Sequence, residues 1–427
     1  MTVSAPPRPP SERATPESKP LGRDEIEALV EALIEEARRE TRRRRRRYWA
    51  VAALVTFVGV GVLTLLEGGA ASQTASPAVS AQSSAATRAG TSRIAFVRGD
   101  LGPPCRPGSC DHGLYVMNAD GTGLRRLTRN AAFGPGSIGP VWSPDGRKLV
   151  FVKRVERGGA PCRPVGSCDS EIYVMNADGT GLRRLTRNAA TDGSPVWLPD
   201  GGRIGFVRSI RDRNGRSSHD AIYVMKADGS DQRRLTLLPR RSGGPTWSPD
   251  GDKIAFVAPA GHLGAADIFV MNTDGSGLQN VTNTVTTSYD FAWSPDGRRI
   301  AYLEGSPGGG RLSVVNADGT GKQRLRGTVI VDLGLPSWSP DGRTLAFTGG
   351  SVIYSVHADG TGLRKLTHGP GLNVDPRWSP DGPRILFLSF RDGPGTDLFV
   401  MNADGSGQRN LTHSPGVSEL AASWAPS

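Results

Sequence analysis

Trp247-Ser-Pro-Asp-Gly-Asp-Lys-Ile-Ala-Phe-Val257, followed by Asp267-Ile-Phe-Val-Met-Asn-Thr-Asp-Gly-Ser-Gly277 and Val281-Thr282, is the clearest copy of a pattern that this chain repeats. Its Trp recurs at positions 142, 197, 247, 293, 338, 378 and 424, so the step is 55, 50, 46, 45, 40 and 46 residues. A period of roughly 40–50 residues marks a radial or solenoid repeat. Each copy reads as four short strands. The residues leading into Trp form the first, and Ser-Pro-Asp-Gly turns the chain because Pro presets φ and Asp-Gly accepts left-handed positions. Ile-Ala-Phe-Val is a second strand, apolar on both faces. A loop of variable length leads to a third, such as Ile-Phe-Val-Met, which ends in an Asp-Gly hairpin turn. Arg-Arg-Leu-Thr, in copies such as Arg125–Thr128, is the fourth, with charge on the edge that must not pair further.

Four-stranded units repeated around an axis describe an all-β propeller. The first copy starts at Arg93-Ile-Ala-Phe-Val97 with no Trp strand before it, and the last ends at Ser423-Trp-Ala-Pro426. Together the two fragments complete one blade, so the N- and C-terminal strands are expected to pair and close a seven-bladed ring. Six blades and a stray unit would leave an open edge, a liability for any sheet.

Trp-Ser-Pro-Asp-Gly stands intact at Trp142, Trp247, Trp293, Trp338 and Trp378, with Leu198 replacing Ser after Trp197. Over about residues 92–427 these motifs resemble the TolB-like propeller repeat, a relative of the WD-type repeat. The resemblance implies the fold. It does not carry over a partner, because the α/β domain that precedes the propeller in TolB has no counterpart here and a membrane segment stands where TolB has a cleaved signal.

Residues 48–66 are 19 residues without a charge, enough to cross a bilayer as a helix. Arg42 to Arg47 precede them, which places the N-terminus in the cytoplasm and the propeller outside. A cleaved signal is the alternative, with Gly69-Ala70-Ala71 as small residues, but 47 residues ahead of the apolar run is too long for an ordinary one. The expected organisation is a cytoplasmic tail over 1–47, a single membrane helix over 48–66, a flexible Ala/Ser/Thr-rich linker over 67–91 and the propeller over 92–427. Within the tail, Ile26, Leu29, Val30, Leu33, Ile34 and Ala37 form one apolar helical stripe. It suits a juxtamembrane helix on anionic lipid, or a docking helix that relays signals to a cytoplasmic partner.

The chain holds 52 basic and 41 acidic residues, of which 12 and 9 lie in the tail. Most of the excess is therefore on the propeller, at outer-strand pairs such as Arg125-Arg126, Arg183-Arg184 and Arg233-Arg234. Solubility of the blade edges explains it first, and attraction of anionic envelope polymers second. Nucleic acid is not an expected partner outside the membrane. The partner expected is a protein or a polar envelope ligand, with the propeller itself monomeric. Cys105 and Cys110, and Cys162 and Cys168, sit in the second-to-third-strand loops of neighbouring blades and read as two local disulfides. A zinc site bridging the loops is the alternative, against which the wide spacing argues.

No hydrolase elbow, His-Glu-x-x-His motif or phosphate loop is present, so no catalytic residue, cofactor or metal is assigned. His368 and His413 share one position after Leu-Thr and read as an echo of the repeat. The expected function is a membrane-anchored, extracytoplasmic binding scaffold. A hydrolase or lyase at the channel mouth and a signalling receptor are the alternatives. Binding concentrates on variable loops held by a rigid frame. The connections from Leu-Thr to Trp should therefore rim the axial channel with Asp192, Arg240, Arg241, Tyr289, Asp290, Asp332, Asp375, Arg377 and Glu419.

Overall fold

The computed structural model describes residues 92–426 apart from 100–111, 130–138, 156–168, 189, 212–217, 236–242, 261–264, 285, 307–308, 329–334, 370, 394 and 415. The expected tail, membrane segment 48–66 and linker lie outside the described residues, as do all four cysteines and their expected disulfides. Among the described residues no helix is long and apolar enough to cross a membrane.

Seven four-stranded antiparallel sheets form seven blades. Blades 2 to 7 each run in chain order from the axis outward, and the Trp strand is innermost. Blade 1 is made from both ends of the propeller, with the order Ser418–Trp424, Arg93–Gly99, Gly113–Asn118 and Arg125–Thr128. Trp424 lies opposite Ile94 and Glu419 opposite Arg98. The closure expected from the two fragments is therefore present. The fourth strands are shorter than the Arg-Arg-Leu-Thr pattern suggests: blade 2 keeps only Arg183–Arg184 in the sheet, and only in blade 1 does the strand run to Thr128.

The core is seven interfaces between blades. Trp142 packs on Ala95, Val97 and Leu114 of blade 1. Trp424 closes the ring in the same way on Leu386, Leu388 and Leu398 of blade 7. In four blades the indole also donates a hydrogen bond to the preceding blade, as Trp338 Nε1 does to Ala292 O at 3.1 Å and Trp424 Nε1 to Arg377 O at 3.0 Å. The apolar tetrads are buried on both faces, as their sequence requires. Ile94, Ala95 and Phe96 are fully buried, and so are Leu345, Ala346 and Phe347.

The two Asp-Gly turns of a blade share one end of the ring. Ala177 N donates to Arg147 O at 2.8 Å, tying the third-strand turn to the Ser-Pro-Asp-Gly turn. In the latter, Ser143 Oγ donates to Asp145 Oδ1 at 2.5 Å, and the same carboxylate accepts Arg147 N at 3.1 Å. These local bonds account for the Ser and Asp of the motif without reference to any ligand.

The innermost strands carry a bulge. Their pairing slips between Gly193 and Val196, Gly243 and Thr246, Tyr289 and Ala292, and Val374 and Arg377. The residue three before Trp is left-handed in six of the seven blades: Gly139 (φ 67°), Ser194 (48°), Gly244 (58°), Asp290 (44°), Asp375 (54°) and Ala421 (48°). Bulges of this kind re-aim side chains beside functional openings.

Tight packing of Trp between blades sets a limit on the tetrads. Gly205 occupies the place held by alanine in four tetrads, and a Cβ there would lie 1.7 Å from the ring of Trp247. Gly205→Ala should cost about 1–3 kcal/mol through overpacking. Gly193→Ala, where an added Cβ meets nothing within 4 Å, should leave stability within about 1 kcal/mol. Urea unfolding of the two variants beside the parent measures both.

Candidate functional site

Two of the residues expected to rim the channel are inside the wall instead. Asp192, five residues before its Trp, lies opposite Arg208 on the second strand of blade 3. Its carboxylate accepts Arg208 Nε at 2.7 Å and Nη2 at 2.8 Å, a two-pronged ion pair, and also Asn188 Nδ2 at 2.7 Å. Asp192 is fully buried. Glu419 is its counterpart in blade 1, also fully buried, and it accepts Arg98 Nε at 2.7 Å. The longer glutamate does not reproduce the fork: Glu419 Oε2 and Arg98 Nη2 are both buried without a hydrogen-bond partner. Burial pushes the Glu419 carboxyl up to about 7, against the opposing pull of Arg98.

Asp290 and Asp375, each three residues before its Trp, and Arg377 stand in the innermost strands of blades 5 and 7. Asp375 Oδ1 accepts Arg377 Nη2 at 2.8 Å. Asp290 has no such ion pair among the described residues. Burial, and then the negative charge of Asp375, raise its carboxyl above the ordinary range, while Arg377 lowers it. Asp375 and Arg377 of blade 7 thus act electrostatically on Asp290 of blade 5. Tyr289 stands in the innermost strand of blade 5, paired through its backbone with Leu303. Arg240, Arg241 and Asp332 lie outside the described residues.

The outer arginines have structural partners. In four blades the first residue of the fourth strand reaches the hairpin turn of the next blade. Arg125 donates to Ala177 O at 3.5 Å, Gln279 to Asp318 O at 2.7 Å, Gln323 to Asp359 O at 2.9 Å and Arg409 to Asp120 O at 2.8 Å. Where it is arginine, its charge helps hold the aspartate of that turn below the usual carboxylate range, as Arg233 does for Asp274 after the turn's own Ser276 hydrogen bonds. The basic pairs thus form part of a circumferential latch between blades.

A further polar layer was not anticipated from the sequence. Asp267 and Asp397 begin the third strands of blades 4 and 7 and are buried. Asp267 accepts Thr282 Oγ1 at 3.0 Å, and Asp397 accepts Thr412 Oγ1 at 2.9 Å. Each Thr is the second residue of Leu-Thr or Val-Thr, and its Oγ1 in turn accepts a third-strand amide, Ile268 N at 2.9 Å and Leu398 N at 3.1 Å. Glu171 holds the same position in blade 2, bonded to Arg184 at 2.8 Å. The signal was an acidic residue just before the third-strand run, repeated with the Thr that follows the fourth.

Residues 165–332 and 330–427 match the family model described as TolB beta propeller domain, and the chain belongs to that family. The Tol-Pal system protein TolB of Alcanivorax borkumensis is 31% identical over 96 residues, covering 22% of this chain and 19% of that protein. A protein TolB homolog of Chlorobium luteolum is 32% identical over 125 residues, covering 22% and 28%. The chain therefore spans about a fifth to just over a quarter of these curated relatives. Among solved structures, the oligogalacturonate lyase of Vibrio parahaemolyticus superposes with a TM-score of 0.53 at 12% identity, over 74% of this chain and 94% of that one. At that identity the likeness is one of fold.

The closing blade should respond to pH. The folded-state value of Glu419 lies above its unfolded value, so the folded protein binds this proton more tightly. Its contribution is greatest at low pH and declines as pH rises from about 4.5 to about 7. Over that window the parent should lose up to about 3 kcal/mol from this group, and Glu419→Gln should flatten the decline. Melting temperature against pH for the two proteins is the measurement. Equal slopes would mean that Glu419 does not titrate there.

Proposed function

We propose that this protein is a binding scaffold of the cell envelope. In this reading the segment 48–66 anchors it, the linker 67–91 tethers it, and the propeller outside the cytoplasmic membrane engages a protein partner at the connection end of its axis. The observation that carries the reading is the axial cluster of Asp290, Asp375 and Arg377. It is polar and placed by bulges in a rigid ring, beneath connections that vary from blade to blade. By contrast, the carboxylates of the opposite, Asp-Gly end are engaged by their own turns, as Asp120 is by Thr122 at 2.9 and 2.6 Å. The two curated relatives carry the TolB name, one of them as a Tol-Pal system protein, which favours an envelope partner.

Hydrolase or lyase chemistry at the same mouth is the second reading. Asp290 favours it, because a carboxyl held above its ordinary range beside a second aspartate suits proton transfer.

Crosslinking capture from membranes tests the first reading. The intact chain should retain a partner that a chain ending at residue 91 does not. Asp290→Ala with Asp375→Ala should weaken that capture roughly tenfold, the effect of losing about 1.4 kcal/mol. An undiminished catch from the truncated chain would transfer the function to residues 1–91, and an undiminished catch from the double variant would remove the axial cluster from the binding surface.

A further inference from the structure

Blade 5 breaks the repeat at two positions at once. Leu325 N donates to Leu312 O at 3.0 Å, as Val281 N does to Ile268 O at 3.0 Å and Leu411 N to Leu398 O at 2.8 Å. That bond fixes the equivalence between blades. The residue before Leu312 is Arg311, where blades 4 and 7 have Asp267 and Asp397. The residue after Leu325 is Arg326, where they have Thr282 and Thr412. A carboxylate–hydroxyl pair is thus replaced by two guanidinium groups, which cannot bond to each other. Both arginines are exposed, and neither side chain has a hydrogen bond or ion pair among the described residues.

These arginines line one groove of about 940 Å3, together with Lys322, Gln323, Arg324 and the hairpin turn Asp359–Thr361 of blade 6. The latch residue at this junction is Gln323, which donates to Asp359 O at 2.9 Å. Two acids stand near the basic groups. Glu304 is bonded to Arg324 at 2.7 Å and lies opposite Arg311 in the strand register. Asp359 is held by Thr361 in its own turn. Lys322 donates to Thr282 O. Among the described residues no protein group accepts from the Arg311 or Arg326 guanidinium.

We propose that this groove on blade 5 is a binding site for an anionic ligand bearing phosphate or carboxylate groups, held by Arg311 and Arg326. The planar fork of arginine matches both oxyanions with paired hydrogen bonds. The site is separate from the axial cluster and does not depend on what that cluster binds.

Isothermal titration of the full-length protein in neutral detergent, at low ionic strength and pH 7, tests it with two probes, pyrophosphate and citrate. Saturable one-to-one binding of either probe is expected, weakened at least tenfold in Arg311→Ala with Arg326→Ala and unchanged in Arg298→Ala, an exposed arginine of the same blade. Preference for pyrophosphate assigns a phosphate ligand, and preference for citrate a carboxylate one. No heat with either probe at millimolar concentration overturns the proposal. So does binding that survives the double substitution, or that falls equally in Arg298→Ala. Circular dichroism melting of the double variant separates lost binding from lost folding. Should the variant melt early, Arg311→Lys with Arg326→Lys replaces it: charge is kept, the fork is lost, and an intermediate affinity is expected. Affinity equal to the parent would overturn the site.

Discussion

Everything in this molecule depends on one contact, the indole of each blade set against the apolar second and third strands of the blade before it. A four-stranded sheet cannot bury both faces alone, and each blade here has only its neighbours to cover it. The Trp supplies the largest single area at each interface. In several blades it also adds a hydrogen bond to the neighbouring innermost strand, as Trp293 Nε1 does to Thr246 O at 3.2 Å. Because the contact is repeated seven times around a closed circle, no blade can shift without opening two interfaces. The bulges, the axial cluster and the loop ends inherit their positions from that rigidity.

Polar chemistry is arranged in rings on the same frame. Near the axis, bulges place Asp290 and Asp375. Within the wall at the connection end, buried acids pair with arginine or with threonine. At the perimeter, arginine or glutamine reaches the next turn. The outer ring bridges the gaps between blades, so part of the positive charge of the propeller is structural. Exceptions to the rings stand out for that reason. The closing blade has Glu419 where Asp192 of blade 3 forms a full fork, and blade 5 has Arg311 and Arg326 where blades 4 and 7 have an aspartate and a threonine.

Much of the architecture was legible in the sequence. The Trp spacing, the tetrads and the Asp-Gly turns are local patterns, and local patterns are enough to count blades and to see that the first and last are halves of one. The candidate site was legible only in part. Asp290, Asp375 and Arg377 stand in innermost strands, with Asp375 bonded to Arg377, but Asp192 and Glu419 are buried in the wall. Their burial follows from arginines across the sheet, and in the case of Glu419 that arginine is 321 residues away in the chain. The outer Arg pairs looked like solubilising charge because their acceptors, backbone oxygens of the following turn, carry no sequence signature.

Strand, turn and repeat therefore follow from the chain, since each rests on neighbours within a few residues and on a period that recurs. Which charges are neutralised, which are buried and which stand free was decided by the closed ring. Only closure brings first and last strands together and sets the register that opposes Arg98 to Glu419, and the turn of blade 6 beside blade 5 gives two arginines a common groove.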